Sequence, residues 1–249
     1  MNALFIAAGE GSRMEKLTEN TPKPLIKING KSILERQIEM LKKNDIDEII
    51  IITGPFVDKY KFQNVSYIND QKFKEHDQLG SLATAMDHIH DDILIIFADI
   101  LFEESILEQI SNNKSDIAIA IDMDWEKYED RNENPISDAD KVSIVDQNIK
   151  RIFKRKNDED EKFPIGEFIG LMKLNQKGAK VFRDVFSKLE KTHSGRFHDA
   201  ESFRHAKLID FLQEMLEQKI EIRPEIINGK WCEIDTTQDL EIAEKMFRD

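Results

Sequence analysis

The chain has a single cysteine, Cys232, so it can carry neither an internal disulfide framework nor a zinc site built from several thiolates. Glycine is scarce: ten in 249 residues, about 4% where roughly 7% is usual. A chain this sparing with glycine is expected to place each one where the backbone needs it. No apolar run approaches the roughly 18–20 residues that span a bilayer. The start, Met1-Asn2-Ala3-Leu4-Phe5-Ile6, lacks the basic stretch of a secretory signal, so none is expected there. Cations are in deficit as well, with 36 Lys and Arg against 49 Asp and Glu and a net charge of −13. That balance excludes a protein whose affinity comes from neutralising a nucleic-acid backbone. With 40% hydrophobic and 34% charged residues the composition is that of a soluble globular protein. The expectation is a cytoplasmic enzyme or binding domain with neither membrane nor nucleic acid as partner.

The apolar residues fall into short continuous runs. Residues 3–7, 48–53, 93–98 and 116–121 are each apolar almost throughout, as expected of strands buried on both faces of a parallel sheet. Between them lie helical patterns. Ile33, Leu34, Ile38 and Leu41 share one face after Ser32, which with Glu35 forms a capping-box signature. Residues 80–89 and 104–110 also read as helices, the first with Ser81 as a cap candidate. Strand alternating with helix over about 120 residues predicts an α/β fold, Rossmann-like, with a mixed, mostly parallel sheet and helices on both faces. In the second half, residues 141–145 and 148–153 predict a hairpin and 166–174 a long strand. Residues 177–189 and 206–218 predict amphipathic helices, 220–227 and 231–234 short strands, and 237–247 a closing helix. Residues 126–140 and 154–162 read as polar loops. No boundary is evident, so residues 1–249 are read as one domain in two halves, 1–122 and 123–249.

Two of the scarce glycines, Gly9 and Gly11, follow the first strand, with Ser12 and Arg13 beside them. Such a loop lets an anion approach backbone N–H groups, and Arg13 adds a two-pronged donor. Lys23 lies between Pro22 and Pro24, which predicts a stiff extended segment presenting its ammonium at a fixed place. Two better-known phosphate signatures fail. A dinucleotide-binding turn needs a third glycine where Met14 stands, and Gly30-Lys31-Ser32 lacks the earlier glycine of a P-loop, Leu25 standing there.

Taken together, Ala7-Ala8-Gly9-Glu10-Gly11-Ser12-Arg13-Met14, Leu17-Thr18, Thr21-Pro22-Lys23-Pro24-Leu25 and Ile28-Asn29-Gly30-Lys31-Ser32-Ile33-Leu34-Glu35 resemble the opening of the nucleotidyltransferases of nucleotide-diphospho-sugar transferase type. Those enzymes move a nucleoside monophosphate from an NTP to a phosphorylated small molecule, which makes residues 1–122 the nucleotide-binding half and 123–249 the acceptor-binding half. The resemblance implies that Ala8, Gly9, Gly11 and Ser12 wrap the nucleotide, that Arg13 holds the β- and γ-phosphates, and that Lys23 contacts the transferred α-phosphate. It also implies two Mg²⁺-holding aspartates at the ends of strands. Asp99 after residues 93–98 and Asp235 after Trp231-Cys232-Glu233-Ile234 match them. Gln78-Leu79-Gly80-Ser81-Leu82 resembles the stretch that lines the base, with Gln78 and Ser81 as its polar groups.

Ala98-Asp99-Ile100-Leu101-Phe102, Ala139-Asp140-Lys141-Val142, Gly166-Glu167-Phe168-Ile169-Gly170-Leu171 and Trp231-Cys232-Glu233-Ile234-Asp235 are similar to a cytidylyltransferase subgroup acting on phosphonates or phosphocholine. The implied partners are CTP and a small phosphonate, such as 2-aminoethylphosphonate, or a phosphorylated alcohol. Lys154 is implied to hold the acceptor phosphate. Glu167 is an ammonium partner or an exposed strand residue, and Trp125 or Tyr128 a cation–π partner. A sugar-1-phosphate nucleotidyltransferase and a non-catalytic nucleotide-binding homologue stay open, as does a homodimer. None of the six histidines is assigned to a metal. Residues 1–31 carry five cations against three anions, net +2 in an acidic chain, which gathers positive charge where a triphosphate is expected.

Overall fold

The computed structural model describes residues 1–9, 11–127, 138–157 and 160–248. Its first strand, β1 (Asn2–Ala7), lies in the middle of a nine-stranded sheet. Two short strands, β2 (Lys27–Ile28) and β3 (Lys31–Ser32), pair beside the first helix, α1 (Ile33–Lys43). Then come β4 (Ile49–Thr53), β5 (Ser66–Asn69), α2 (Gln78–Ala83), β6 (Ile93–Phe97), β7 (Ile100–Phe102), α3 (Glu104–Asn112) and β8 (Ile117–Asp122). The second half adds β9 (Lys141–Val145), β10 (Asn148–Phe153), β11 (Ile165–Leu174), α4 (Gln176–Thr192), α5 (Leu208–Glu217), β12 (Arg223–Ile226), β13 (Trp231–Glu233) and α6 (Thr237–Met246).

The main sheet runs β10-β9-β11-β6-β1-β4-β5, with β8 on β11 and β12 on β8. Parallel pairing joins β1 to β4 and β6, β4 to β5, and β12 to β8. Because β1, β4 and β6 have a neighbour on each edge and cover on each face, only continuous apolar runs satisfy them. The mixed character comes from β11, which pairs antiparallel with β6, β8 and β9. Its register against β8 slips between Phe168 and Met172, where Gly170 takes φ +82° and a Cβ would lie 2.5 Å from the Phe97 ring. One apolar core takes side chains from both halves, from Ala3 to Trp231.

Several local expectations need correction. The helix expected over 80–89 starts at Gln78 and ends at Ala83, and a 3-10 turn (Met86–His88) follows. Its N-cap is Asp77, whose carboxylate accepts from the Gln78 N–H at 2.8 Å, and not Ser81. Edge strand β5 adds to the expected elements; its sequence, Ser-Tyr-Ile-Asn, has no apolar run because no strand covers its outer side. The segment around Lys23 is a 3-10 turn (Lys23–Leu25), closed by Leu25 N–H to Pro22 O at 2.8 Å, rather than extended. The Ser32–Glu35 capping box is present in both directions, at 3.1 and 3.2 Å. Ser32→Ala is therefore expected to cost about 1 kcal/mol, read as a lower urea midpoint with an unchanged m-value.

The pairing of β7 with β13 joins segments far apart in sequence. Ile100–Phe102 and Trp231–Glu233 run antiparallel, Ile100 facing Glu233, and the Ile234 N–H donates to the Asp99 carbonyl at 2.9 Å. A small separate core of Met14, Ile26, Ile28, Ile33, Leu101, Ile234 and Ala243 packs the N-terminal segment onto this ribbon. The residues just before β7 and just after β13 are thereby held together beside the turn that carries Lys23.

Candidate active site

The loop leaving β1 comes first. Gly11 has φ +65°, and a Cβ there would stand 3.0 Å from Lys23 Cβ and 3.1 Å from Thr18 Cγ2. Only glycine satisfies both the left-handed backbone and the close pass of the lysine segment. The Gly11 carbonyl accepts from Thr18 Oγ1 at 2.9 Å and from the Met14 N–H at 3.1 Å, closing the loop over the 3-10 turn Ser12–Leu17.

The β7–β13 ribbon brings three carboxylates together. Asp99, Glu233 and Asp235 each offer an oxygen within 4.8 Å of the others. Lys23, 7% exposed, reaches into them: its Nζ donates to Asp99 Oδ2 at 2.8 Å and to Asp235 Oδ1. Burial alone would pull the Lys23 ammonium down, but Asp99, Asp235 and Glu233 more than reverse this, and the net shift is upward. Arg13, half exposed, donates to Asp235 Oδ2 and lies 3.9 Å from Asp138. Glu233 shows the cost of three acids in one place. Burial first, then Asp235 and Asp99, push its carboxyl up to about 8. Asp99 Oδ1 is buried and accepts no hydrogen bond. Hard carboxylate oxygens, one lacking a partner, and a raised acid form a donor set that fits a divalent cation such as Mg²⁺. Asp235 is fixed by the helix after it: Asp239 Oδ2 accepts from the Asp235 and Thr236 N–H groups at 3.0 and 2.8 Å.

These groups line two lobes of one depression. The smaller lobe, about 400 Å³, is walled by Gly9, Gly11, Arg13, Lys23, Asp99 and Asp235. The larger, about 480 Å³, shares Gly9, Arg13, Asp99 and Asp235 and extends past Ala8, His76, Gln78 and Ser81 to Asp140, Lys154, Lys207 and Glu233. It opens at the carboxyl ends of β1 and β6, where open α/β sheets bind ligands.

The predicted base-side groups are on this wall, but both already have protein partners. Gln78 Oε1 accepts from the Leu208 N–H at 2.9 Å, and Ser81 Oγ donates to Asp70 Oδ2 at 2.8 Å. Asp70 is also 3.2 Å from His76 Nε2, and this buried ring packs over Gly80 so closely that an added Cβ would overlap His76 Cγ. Gly80→Ala is thus expected to displace a buried, paired ring, costing about 1–3 kcal/mol. A drop in melting temperature together with a raised KM for the nucleotide would show it.

On the acceptor side Lys154 Nζ donates to Asp140 Oδ1 at 2.8 Å. Burial lowers its ammonium, Asp140 more than offsets that, and the net shift is upward. Lys141, buried, donates from Nζ to the carbonyls of Ala139 and Lys154, both at 3.1 Å, tying together the segments that carry Asp140 and Lys154. Glu167 is not brought to the cavity wall: it is 3% exposed on β11, in register with Lys141. Trp125 is a core residue whose Nε1 donates to Ile165 O at 2.9 Å, and the cation over its ring is Lys141. Tyr128 lies outside the described residues. Sequence reasoning missed Glu233, Asp138, Asp140, His76 and Lys207 as wall residues. For Glu233 a signal existed: two residues before Asp235 on an extended segment, it shares that residue's face.

No helix among the described residues is long and apolar enough to cross a membrane. Compared with known proteins, nearly the whole chain aligns with the CTP:phosphoglutamine cytidylyltransferase of Campylobacter jejuni, 29% identical over 256 residues, 97% of this chain and 98% of that protein. The choline-phosphate cytidylyltransferase of Haemophilus influenzae is 34% identical over 110 residues, 43% of this chain and 47% of that protein. Among solved structures, the CTP:phosphocholine cytidylyltransferase from Streptococcus pneumoniae superposes with a TM-score of 0.76 at 20% identity, covering 99% of both chains. The inositol-1-phosphate CTP transferase from T. maritima gives 0.73 at 18% identity over 98% of this chain and 94% of that one. These two likenesses establish the fold: the mixed, mostly parallel sheet of the nucleotide-diphospho-sugar transferases. Residues 3–130, which hold the glycine loop, Lys23 and Asp99, match the MobA-like NTP transferase domain, and the chain belongs to that family of nucleotidyltransferases.

Proposed function

We propose that the protein transfers CMP from CTP to an anionic oxygen of a small phosphonate or phosphate, releasing pyrophosphate. The observation that carries this reading is the buried Lys23 ammonium held between Asp99 and Asp235, with Arg13 on the same aspartate, at the junction of the two lobes. The relatives that act on CTP support cytosine as the base. In the reaction an acceptor oxygen forms a bond to the α-phosphorus, and the bond from that phosphorus to the β-bridging oxygen breaks. The leaving pyrophosphate keeps the electron pair. The attacking oxygen is already anionic, so no general base is needed.

Each role follows from position. Gly9 and Gly11 leave room for the triphosphate in the smaller lobe. Lys23 donates to the α-phosphoryl oxygens as charge builds there, and its fixed placement means no reorganisation is needed at that moment. Arg13, which reaches over the mouth from solvent, steadies the departing pyrophosphate. Asp99, Glu233 and Asp235 are the residues that would hold Mg²⁺, which when bound neutralises phosphate charge. Lys154, from the larger lobe, faces the acceptor phosphate or phosphonate.

Pyrophosphate release from the purified protein tests the reading, with CTP, UTP, dTTP and GTP each offered alongside 2-aminoethylphosphonate, phosphocholine and glucose 1-phosphate. Magnesium-dependent release with CTP and a non-sugar acceptor is expected. Release only with UTP or dTTP and the sugar phosphate would replace it with a sugar nucleotidyltransferase. Tight nucleotide binding without release on any acceptor would make the protein a non-catalytic homologue.

A further inference from the structure

The cations on the cavity wall are not equivalent. Arg13 pairs with Asp235, Lys23 with Asp99 and Asp235, and Lys154 with Asp140. Lys207 alone has no ion-pair partner among the described residues, although it is half-buried on the wall of the larger lobe. A half-buried lysine on the wall of a ligand cavity, without a counter-ion, gains most from an anion that arrives with the ligand.

Its placement indicates which ligand. Lys207 lines the larger lobe with Lys154 and Asp140 but not the smaller one, where Gly11 and Lys23 lie. Its backbone is held there from two sides. The Asp77 and Leu79 N–H groups donate to the Arg204 and Ala206 carbonyls at 3.0 and 3.1 Å, and the Leu208 N–H donates to Gln78 Oε1 at 2.9 Å. Gln78 therefore acts as a strut that sets the Lys207 segment against the wall. The CTP α-phosphate is assigned to Lys23 and the acceptor phosphate or phosphonate to Lys154, so Lys207 is a further cation in the larger lobe, free for a second anionic group of the acceptor.

We propose that Lys207 binds a carboxylate of the acceptor, and that the acceptor is an amino-acid-like compound carrying that carboxylate besides its phosphate or phosphonate. This rests on the cytidylyltransferase reading and deepens it. Asp138, which is 3.9 Å from Arg13, and Asp140, which already holds Lys154, make this wall acidic enough to suit the amine of such a compound. A relative named for phosphoglutamine, an amino-acid phosphate, aligns with 97% of the chain.

Two pairs of compounds differing only by a carboxylate provide the test: 2-amino-3-phosphonopropionate against 2-aminoethylphosphonate, and O-phosphoserine against phosphoethanolamine. With CTP and Mg²⁺, the carboxylated member of at least one pair is expected to have a kcat/KM roughly tenfold or more above its partner, the size of one charge-assisted contact. Lys207→Met should raise the KM of that member about tenfold or more and close the gap within the pair. The KM for CTP should move less than twofold, and Lys207→Arg should restore part of the preference. If none of the four turns over, calorimetric binding to the CTP-loaded protein replaces turnover, with the same ordering expected. Equal or reversed preference within both pairs overturns the proposal, as does a Lys207→Met effect falling on the KM for CTP. Absence of CTP-dependent pyrophosphate release with every acceptor would instead fail the underlying function.

Discussion

Lys23→Met is expected to lower kcat by about 10²–10³-fold, the loss seen when one fixed donor to a developing oxyanion is removed. The lysine is suited to that part because the fold leaves its ammonium little freedom. The 3-10 turn that begins at Lys23, the contact with Gly11 and the two aspartates together fix where Nζ lies. Methionine keeps the volume of the stem and removes only the charge, so lost packing contributes little. A second effect goes with it. Without the ammonium, buried Asp235 and half-buried Asp99 keep their charges, with Arg13 still on Asp235, so the loss should stay below the roughly 3–5 kcal/mol of a fully buried ion pair broken from one side. The melting temperature of the metal-free variant should therefore fall, and added Mg²⁺ should recover part of it. Lys23→Arg is expected to fail in kcat as well, because a planar fork does not reach both aspartates from the place of a single nitrogen. Steady-state kinetics on protein shown folded by circular dichroism is the measurement, and a Lys23→Met variant within fivefold of wild-type kcat would sink this role.

Much of the scaffold was legible because its signals are local. Residues 3–7, 49–53 and 93–97 are buried on both faces and read as uninterrupted apolar runs. The Ser32 cap lies within three residues of its partner. The glycine loop and Lys23 were recognisable from the family resemblance, and the close pass of the lysine segment gives the physical reason for glycine at position 11, although the extended backbone expected at Lys23 is a 3-10 turn. What could not be read depends on contacts between distant segments. Nothing in Ile100-Leu101-Phe102 announces that it pairs with Trp231-Cys232-Glu233, yet that ribbon makes one site of Asp99, Glu233 and Asp235. Gln78 read as a base contact because an amide suits that work, but its carbonyl oxygen is taken by Leu208, 130 residues away. Glu167 read as an exposed or acceptor-facing strand residue because alternation does not tell a solvated face from one covered by neighbouring strands, and β11 has strands on both sides. Lys207 carried no signal at all, since a lone lysine before a helix has no pattern that separates it from a solvated one.

Asp235→Asn is expected to be the more damaging change, lowering kcat by more than about 10³-fold, because this carboxylate serves several groups at once. It accepts from Arg13 through one oxygen and from Lys23 through the other, and it forms one corner of the acidic triad. Asparagine has the same shape but offers one weak acceptor and an amide N–H₂ that would point at one of the two cations. One of the two would lose its anchor, and the site would lose part of its affinity for a divalent cation. The effect on stability should be much smaller than on turnover. Each charged hydrogen bond lost is worth about 1.5–3 kcal/mol, but removing a negative charge from beside Glu233 and Asp99 relieves the repulsion that adds to burial in raising the Glu233 carboxyl. Asp99→Asn should be milder, since Asp99 holds Lys23 alone. The order expected in kcat is therefore wild type, then Asp99→Asn, then Asp235→Asn. The rise in melting temperature on adding Mg²⁺ should shrink in both variants. An Asp235→Asn enzyme within tenfold of wild-type turnover, or one whose thermal response to Mg²⁺ is intact, would remove Asp235 from the centre of the site and leave its contacts with Arg13 and Lys23 as structural ion pairs.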